Sequence, residues 1–368
     1  MTAHRVGPEP DVHGGNVYAA ARGRRGSTPR LVDFSASINP LGPSPLVLRA
    51  AETALRRGIA HYPDPDCAAL LGTLAKRLRV NPNNLLLGNG SAELLYVLAR
   101  ALPIRRALIL GPTFTEYERA VLAAGGRADY LHAARAEEYA PPLAEAAAAL
   151  AGSRIRFDVV FLCNPNSPTG RVVGRTAVLE LVRAAAKRGI WAVVDEAFID
   201  YAEEASVLRE VRQQGHLLVL RSFTKFYAVP GLRLGCLVGP QGLIATLKAQ
   251  QPPWTVNVVA QAAGVAALRD RGHERASLAY MERARRQLAN ALRAIGGVTV
   301  FPSAANFLLL ELPDRRGAAW YARHLLARGL MVRDCSRIAG LNNRTIRVAV
   351  RRLDENRRLV AALSELIG

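Results

Sequence analysis

Ser222 to Gly235 reads SFTKFYAVPGLRLG, and the interpretation of the whole chain turns on this stretch. It begins just after a short apolar run, Leu217 to Leu220, that reads as a buried strand. Lys225 lies past the end of that run, with the hydroxyls of Ser222 and Thr224 on its N-terminal side. Arg233 follows on a Pro-Gly turn. An amine set among hydroxyls and a guanidinium suits an aldehyde that carries a phosphate. The amine condenses with the carbonyl, and the other groups hold the anion.

Composition makes the lysine conspicuous. Among 49 basic residues only four are lysines: Lys76, Lys187, Lys225 and Lys248. A guanidinium stays protonated and cannot form an imine, whereas an amine can lose its proton. Lys225 could be a chance survivor on a solvated face. Its neighbours argue instead for pyridoxal 5'-phosphate, the cofactor that needs such a lysine.

With 368 residues, half of them hydrophobic, the chain should form two domains, or one large domain with a smaller companion. No apolar run reaches membrane-spanning length, and the opening MTAHRVGPEPDVHGGN has no apolar signal core. We therefore expect a soluble, cytoplasmic protein with no membrane partner. Cys67, Cys163, Cys236 and Cys335 are scattered, which supports neither a metal site nor a redox pair. The formal charge of +19 raises the question of nucleic acid. The arginines are spread along the whole chain, so the charge reads as an arginine- and alanine-rich coding bias, and no nucleic-acid partner is expected.

The first forty or so residues are rich in Gly and Pro and read as an extended arm, 1–43. His13-Gly14-Gly15-Asn16 and DFSASINPLG, Asp33 to Gly42, are either turns of a lead-in or loops that approach a ligand. A large domain, 44–255, follows. Helical patterns run from Leu46 to Arg57 and from Ala68 to Leu78, on either side of HYPDPD. LLLGNGSAELLYVLARAL reads as strand, Gly-rich turn and helix, with Asn89, Gly90 and Ser91 at the helix start, where free amides favour a phosphate. Such a turn is also a common tight corner.

ALILGP, FDVVFLC, IWAVVDEAFIDY, HLLVLRSFTK and LGCLVG read as further strands separated by helices. The alternation indicates an α/β fold with a mostly parallel sheet covered on both faces. Phe114, Asp195 and Lys225 all fall where strands end, the edge at which open α/β sheets bind ligands. Trp254 to Asn257 looks like a hinge, then a helical pattern runs from Val258 through Leu292. The remainder reads as a smaller α+β domain, 256–368, with strands in VTVFPSAANFLLLEL, LMVRDC and TIRVAV. Arg333 and Arg347 lie in or beside these apolar strands and call for an anionic partner, either a structural carboxylate or a substrate anion.

Asp195, Lys225 and Arg233, with NPNSPTG upstream, form a specific set. A carboxylate beside a pyridine nitrogen keeps that nitrogen protonated, so the ring accepts electrons. The set resembles the fold-type I pyridoxal-phosphate enzymes related to aspartate and histidinol-phosphate aminotransferases, across almost the whole chain. HGGN, DFSASINPLG, HYPDPD, GNGSAE, DEAFIDY and LRSFTKFYAVPGLRLG are similar to the branch that decarboxylates threonine phosphate in cobalamin biosynthesis. The first two motifs separate that branch from the aminotransferases.

The resemblance implies a role for each matching position. Lys225 would carry the cofactor and move protons, and Asp195 would pair with the ring nitrogen. Ser91, Ala92, Ser222, Thr224 and Arg233 would hold the phosphate, and Phe114 would stack on the ring. Tyr62 would reach the phosphate of a second subunit, which implies a homodimer. His13, Gly14, Arg333 and Arg347 would bind a small phosphorylated amino acid. Two positions depart from the family pattern. Ser167 stands where an asparagine usually meets the cofactor's phenolic oxygen, with Asn166 beside it as a substitute. Ser37 stands where another asparagine lies near the substrate. A histidinol-phosphate aminotransferase is the nearest alternative, and a basic nucleic-acid-binding protein on a dead enzyme fold is a remote one.

Overall fold

The computed structural model describes residues 13–22, 31–152, 155–313 and 316–368. Parts of the expected N-terminal arm, 1–12 and 23–30, lie outside the described residues.

A seven-stranded sheet forms the centre, in the order Leu85–Gly88, Gly235–Val238, Leu217–Ser222, Trp191–Asp195, Val159–Cys163, Arg106–Gly111, Arg127–His132. Gly235–Val238 is antiparallel to both its neighbours, and the other neighbouring strands run parallel. The apolar runs are explained by burial on both faces. In Val159–Cys163, Val160 and Leu162 join one core, while Val159, Phe161 and Cys163 join the core on the opposite face. Side chains alternate faces along a strand, so a strand covered on both sides must be apolar throughout. Each such Val or Leu contributes about 1.5–3 kcal/mol through burial. Arg127–His132 was not visible as an apolar run: it is the edge strand and its side chains are partly exposed.

The flanking helices start where local chemistry allows. Ser44 caps Pro45–Gly58 by accepting from the Val47 amide, and a proline sits in the first turn. The helical pattern expected to run from Val258 through Leu292 is two helices, Val258–Arg269 and Arg271–Arg293. Asp270 separates them and caps the second by accepting from the His273 amide at 3.0 Å.

Val258–Arg269 packs on Pro45–Gly58 and Ala68–Leu78, and its Ala260, Ala263 and Ala267 belong to the core of the large sheet. By packing it therefore lies with the residues before 255 rather than those after it. The C-terminal part is built on an antiparallel sheet in the order Arg333–Asp334, Thr345–Ala349, Phe307–Glu311, Thr299–Val300. LMVRDC is not one strand. Leu330–Met331 pairs in parallel with Val32–Asp33, while Arg333–Asp334 pairs with Thr345–Ala349. The segment after residue 31 is thus stitched to the small sheet, and Phe34 is fully buried in that sheet's core. The segment before it is not wholly extended, since Val17–Arg22 is helical. No helix among the described residues is long and apolar enough to cross a membrane.

Candidate active site

Asp195 and Ser222 are the last residues of adjacent parallel strands, and Lys225 sits on the short helix Phe223–Phe226 that follows. They open into a cavity of about 410 Å³ at the carboxyl edge of the large sheet. The small sheet supplies the facing wall through Arg333 and Arg347.

One end of the cavity has the chemistry of an anion site. The helix Gly90–Ala101 begins here, and Asn89 at its cap makes no side-chain bond to the first turn. Its leading amides therefore keep free N–H groups, with the positive end of the helix dipole behind them. Ser91 and Ala92 line the cavity beside Ser222, Thr224 and Arg233. Ser222 Oγ lies 2.7 Å from Thr224 Oγ1. Gly90 has φ +83°, and a Cβ there would lie 2.7 Å from Arg233 Nη2, so only glycine lets the guanidinium close over the helix start. This cradle fits the phosphate of pyridoxal phosphate.

The other polar end is Asp195, 4 % exposed. Tyr117 Oη donates to its Oδ2 at 2.7 Å, and the Ala197 amide donates to Oδ1 at 2.9 Å. Burial raises the Asp195 pKa, and these two donors oppose that rise. Burial also keeps Tyr117 a phenol by pushing its pKa well up, so it remains a donor. Lys225 goes the other way. Burial, then Arg347 and Arg233, lower its pKa from 10.5 to about 8, while Asp195 opposes them. An amine so placed gives up its proton from about pH 8 upward, well below a free lysine, and then becomes a nucleophile. Phosphate cradle, lysine and carboxylate thus match the three polar points of pyridoxal phosphate, and half-buried Phe114 offers a ring at the same wall.

Across the cavity, Arg333 and Arg347 are direct partners on antiparallel strands. Like charges placed opposite each other cost energy unless an anion is shared between them. Arg347 Nη1 donates to Ser167 Oγ at 2.9 Å and Nη2 to the Ser35 carbonyl at 2.7 Å, and its guanidinium lies 5.1 Å from the Phe307 ring. Its Nε is buried without a hydrogen-bond partner, as is Ser37 Oγ. Burial chiefly lowers the Arg347 pKa, and Arg333 adds to that. The described residues thus place two guanidinium groups side by side on this wall.

The structure brings together the residues given a role from the sequence, Tyr62 and the proposed substitute Asn166 excepted. His13, Gly14, Ser37, Ser167 and the two arginines line the same cavity as Lys225 and Asp195. Tyr62 does not. It is 79 % exposed and stacks on Trp254, with ring centroids 4.5 Å apart. Asn166 is not available to replace the family asparagine. Its amide donates to the Pro112 carbonyl and to Thr169 Oγ1, and its carbonyl accepts from Thr113 Oγ1, all at 2.8 Å. Tyr117 had no role in the sequence reading; it lies in the first turn of the helix that follows Phe114, and the two rings meet edge-on with centroids 5.6 Å apart. Glu116 and Ser35 also line the cavity and were not singled out.

The sequence fits the family described as "Aminotransferase class I and II" over residues 29–363. It is 37% identical to the threonine-phosphate decarboxylase of Salmonella typhimurium, covering 96% of each chain. It is 33% identical to the histidinol-phosphate aminotransferase of Moorella thermoacetica, covering 92% of this chain and 86% of that one. The crystal structure of L-threonine-O-3-phosphate decarboxylase from Porphyromonas gingivalis superposes with a TM-score of 0.81 at 27% identity, covering 90% of this chain and 98% of that one.

Proposed function

Since this chain belongs to the class I and II aminotransferase family, we propose that it is a pyridoxal-phosphate-dependent carboxy-lyase acting on L-threonine O-3-phosphate. The reaction takes one proton, releases carbon dioxide and leaves (R)-1-amino-2-propanol O-2-phosphate, a step of cobalamin biosynthesis. The observation that carries the substrate is the pair Arg333 and Arg347, direct partners on antiparallel strands that line the same cavity as Lys225. Two guanidinium groups on opposed strands match a phosphate dianion better than a single carboxylate.

Holding the phosphate there frees the α-carboxylate from any arginine clamp. A carboxylate that is to leave must carry no fixed counter-charge, because its negative charge is lost as carbon dioxide forms. When bound, pyridoxal phosphate would supply a sink for the electron pair left behind. Asp195, which accepts from Tyr117 and the Ala197 amide, would pair with the ring nitrogen. Lys225 holds the proton that the α-carbon takes up, and its pKa of about 8 suits both giving and regaining it near neutral pH. Arg233, Ser222, Thr224 and the amides of Ser91 and Ala92 would hold the cofactor phosphate, and Phe114 would stack on its ring. His13 and Gly14 close the substrate side, and Ser37 offers a hydroxyl there. Ser167 takes its bond from Arg347 and keeps its own proton for a ligand oxygen.

The active unit is a homodimer in this reading. Tyr62 and Trp254 form an exposed aromatic pair away from their own cavity, and the nearby helix Pro45–Gly58 exposes Leu48 and Leu55. Tyr62 then completes the phosphate site of the partner subunit. The working compartment is the cytoplasm. The test is release of carbon dioxide from L-threonine O-3-phosphate by the cofactor-loaded protein, with Lys225→Ala as control. No release above the control sinks the proposal. Amino transfer from histidinol phosphate to 2-oxoglutarate, without gas, would identify an aminotransferase.

A further inference from the structure

Glu116 is a carboxylate in the wall of a cavity that the reading above fills with a phosphate. Its charge is spent on three donors. Tyr96 Oη donates to Oε2 at 2.8 Å, Arg119 Nη1 donates to Oε1 at 3.0 Å, and His13 Nε2 lies 2.7 Å from Oε1. Burial, the largest influence, would raise its pKa, but these bonds win and bring it to about 2. Glu116 is therefore ionised throughout the working range.

Tyr96 and Arg119 come from the large-sheet side, as Glu116 does, and suffice to settle a buried carboxylate. His13 comes from 103 positions away, and its side chain is 44 % exposed. Its ring also lies 5.5 Å from the Phe114 ring. The other end of this short segment is pinned to the small-sheet side. The Gly15 amide donates to Ser35 Oγ at 2.8 Å, and the Ser35 carbonyl accepts from Arg347 Nη2 at 2.7 Å. Between the two attachments, Gly14 lies so close to the Ser35 carbonyl that a side chain has no room. Residues 13–15 thus bridge the Arg347 wall and the Phe114 wall.

We propose that Glu116 is a positioning residue, a clasp for His13 that holds the 13–15 segment across the cavity and turns the imidazole Nδ1 toward the substrate's phosphate. The claim about the phosphate rests on the substrate reading above, whereas the claim about the clasp does not. With Nε2 committed to the carboxylate, Nδ1 is the ring nitrogen left to meet a ligand. The clasp costs little electrostatically, because the carboxylate's charge is already matched before an anion arrives.

The experiment compares cofactor-loaded wild type, His13→Ala, Glu116→Gln and the double variant, with two readouts. Amide hydrogen exchange over 14–22, without substrate, reports the clasp. Competitive inhibition by inorganic phosphate, with KM and kcat for threonine phosphate, reports the anion. Glu116→Gln should speed exchange and weaken phosphate binding by about tenfold each, the size of one charge-assisted hydrogen bond. The KM should rise in step while kcat changes little. The double variant should be no worse than His13→Ala alone. Unchanged exchange, or losses that add in the double variant, would overturn the clasp and leave Glu116 a structural partner of Tyr96 and Arg119. Faster exchange with no carbon dioxide from wild type would uphold the clasp and refute the substrate. His13→Ala alters an exposed side chain, so it reports even if Glu116→Gln folds poorly.

Discussion

Replacing the lysine on which the chemistry depends should make the cofactor-free protein more stable. Lys225 is held among Arg347, Arg233 and apolar strands, which lower its pKa from 10.5 to about 8. At about 1.4 kcal/mol per unit, that shift corresponds to a cost of about 3 kcal/mol for the protonated amine in the folded state. Part of the side chain faces the open cavity, and solvent there reduces the figure to about 1–2 kcal/mol. The sign follows from proton counting. Below about 8 the folded and unfolded chains both carry the proton, so the folded state bears the full cost. As pH climbs from about 8 toward 10.5, the folded state releases its proton first and wild type gains stability. Lys225→Met carries no such charge and fills the same space. Urea unfolding of the two cofactor-free proteins should show Lys225→Met ahead by about 1–2 kcal/mol at pH 7, with the gap closing by about pH 10. A variant less stable than wild type at pH 7, or a gap that ignores pH, would refute this account of the lysine.

Three further substitutions probe its surroundings. Tyr117→Phe removes one of two donors to buried Asp195 and should cost about 1–3 kcal/mol in urea unfolding; an unchanged midpoint would mean that the carboxylate does not depend on the phenol. Gly90→Ala drives a methyl against Arg233 at a left-handed backbone position, so absorbance titration should show pyridoxal phosphate binding weakened by about tenfold or more. Arg221 pairs with Glu196 and Glu203 beneath the site, at 2.8 and 3.0 Å. Arg221→Met leaves Glu196 buried without its cation and should cost about 3–5 kcal/mol by chemical denaturation, while adding Glu196→Gln should recover much of the loss.

The strands of the sheet centre were readable because both their faces are buried, as the unbroken runs in Leu217–Ser222 and Val159–Cys163 attest. Arg127–His132 was not, because an edge strand need not be apolar and RADYLH has no run to see. Asp270 splits one helical pattern in two, and nothing in residue spacing distinguishes a capping aspartate from a solvated one. LMVRDC divides between two sheets because its partners, Val32–Asp33 and Thr345–Ala349, are remote in sequence. The same limit governs the site. Lys225 and Asp195 were legible from their place at strand ends, and Arg233 from the Pro-Gly turn after the lysine. The Glu116 contact with His13 was hidden by sequence distance, and the facing of Arg333 and Arg347 depends on a strand register that spacing does not supply. Asn166 looked able to replace the family asparagine until its amide proved fully used by Pro112, Thr113 and Thr169.

Everything said of the chemistry depends on which anion the two late arginines hold. A crystal structure of the Lys225→Ala protein with pyridoxal phosphate and L-threonine O-3-phosphate addresses that directly. The substrate phosphate is expected between the guanidinium groups of Arg333 and Arg347, with the α-carboxylate touching neither. An α-carboxylate forked on Arg347, with the phosphate elsewhere, would contradict the account and describe an aminotransferase.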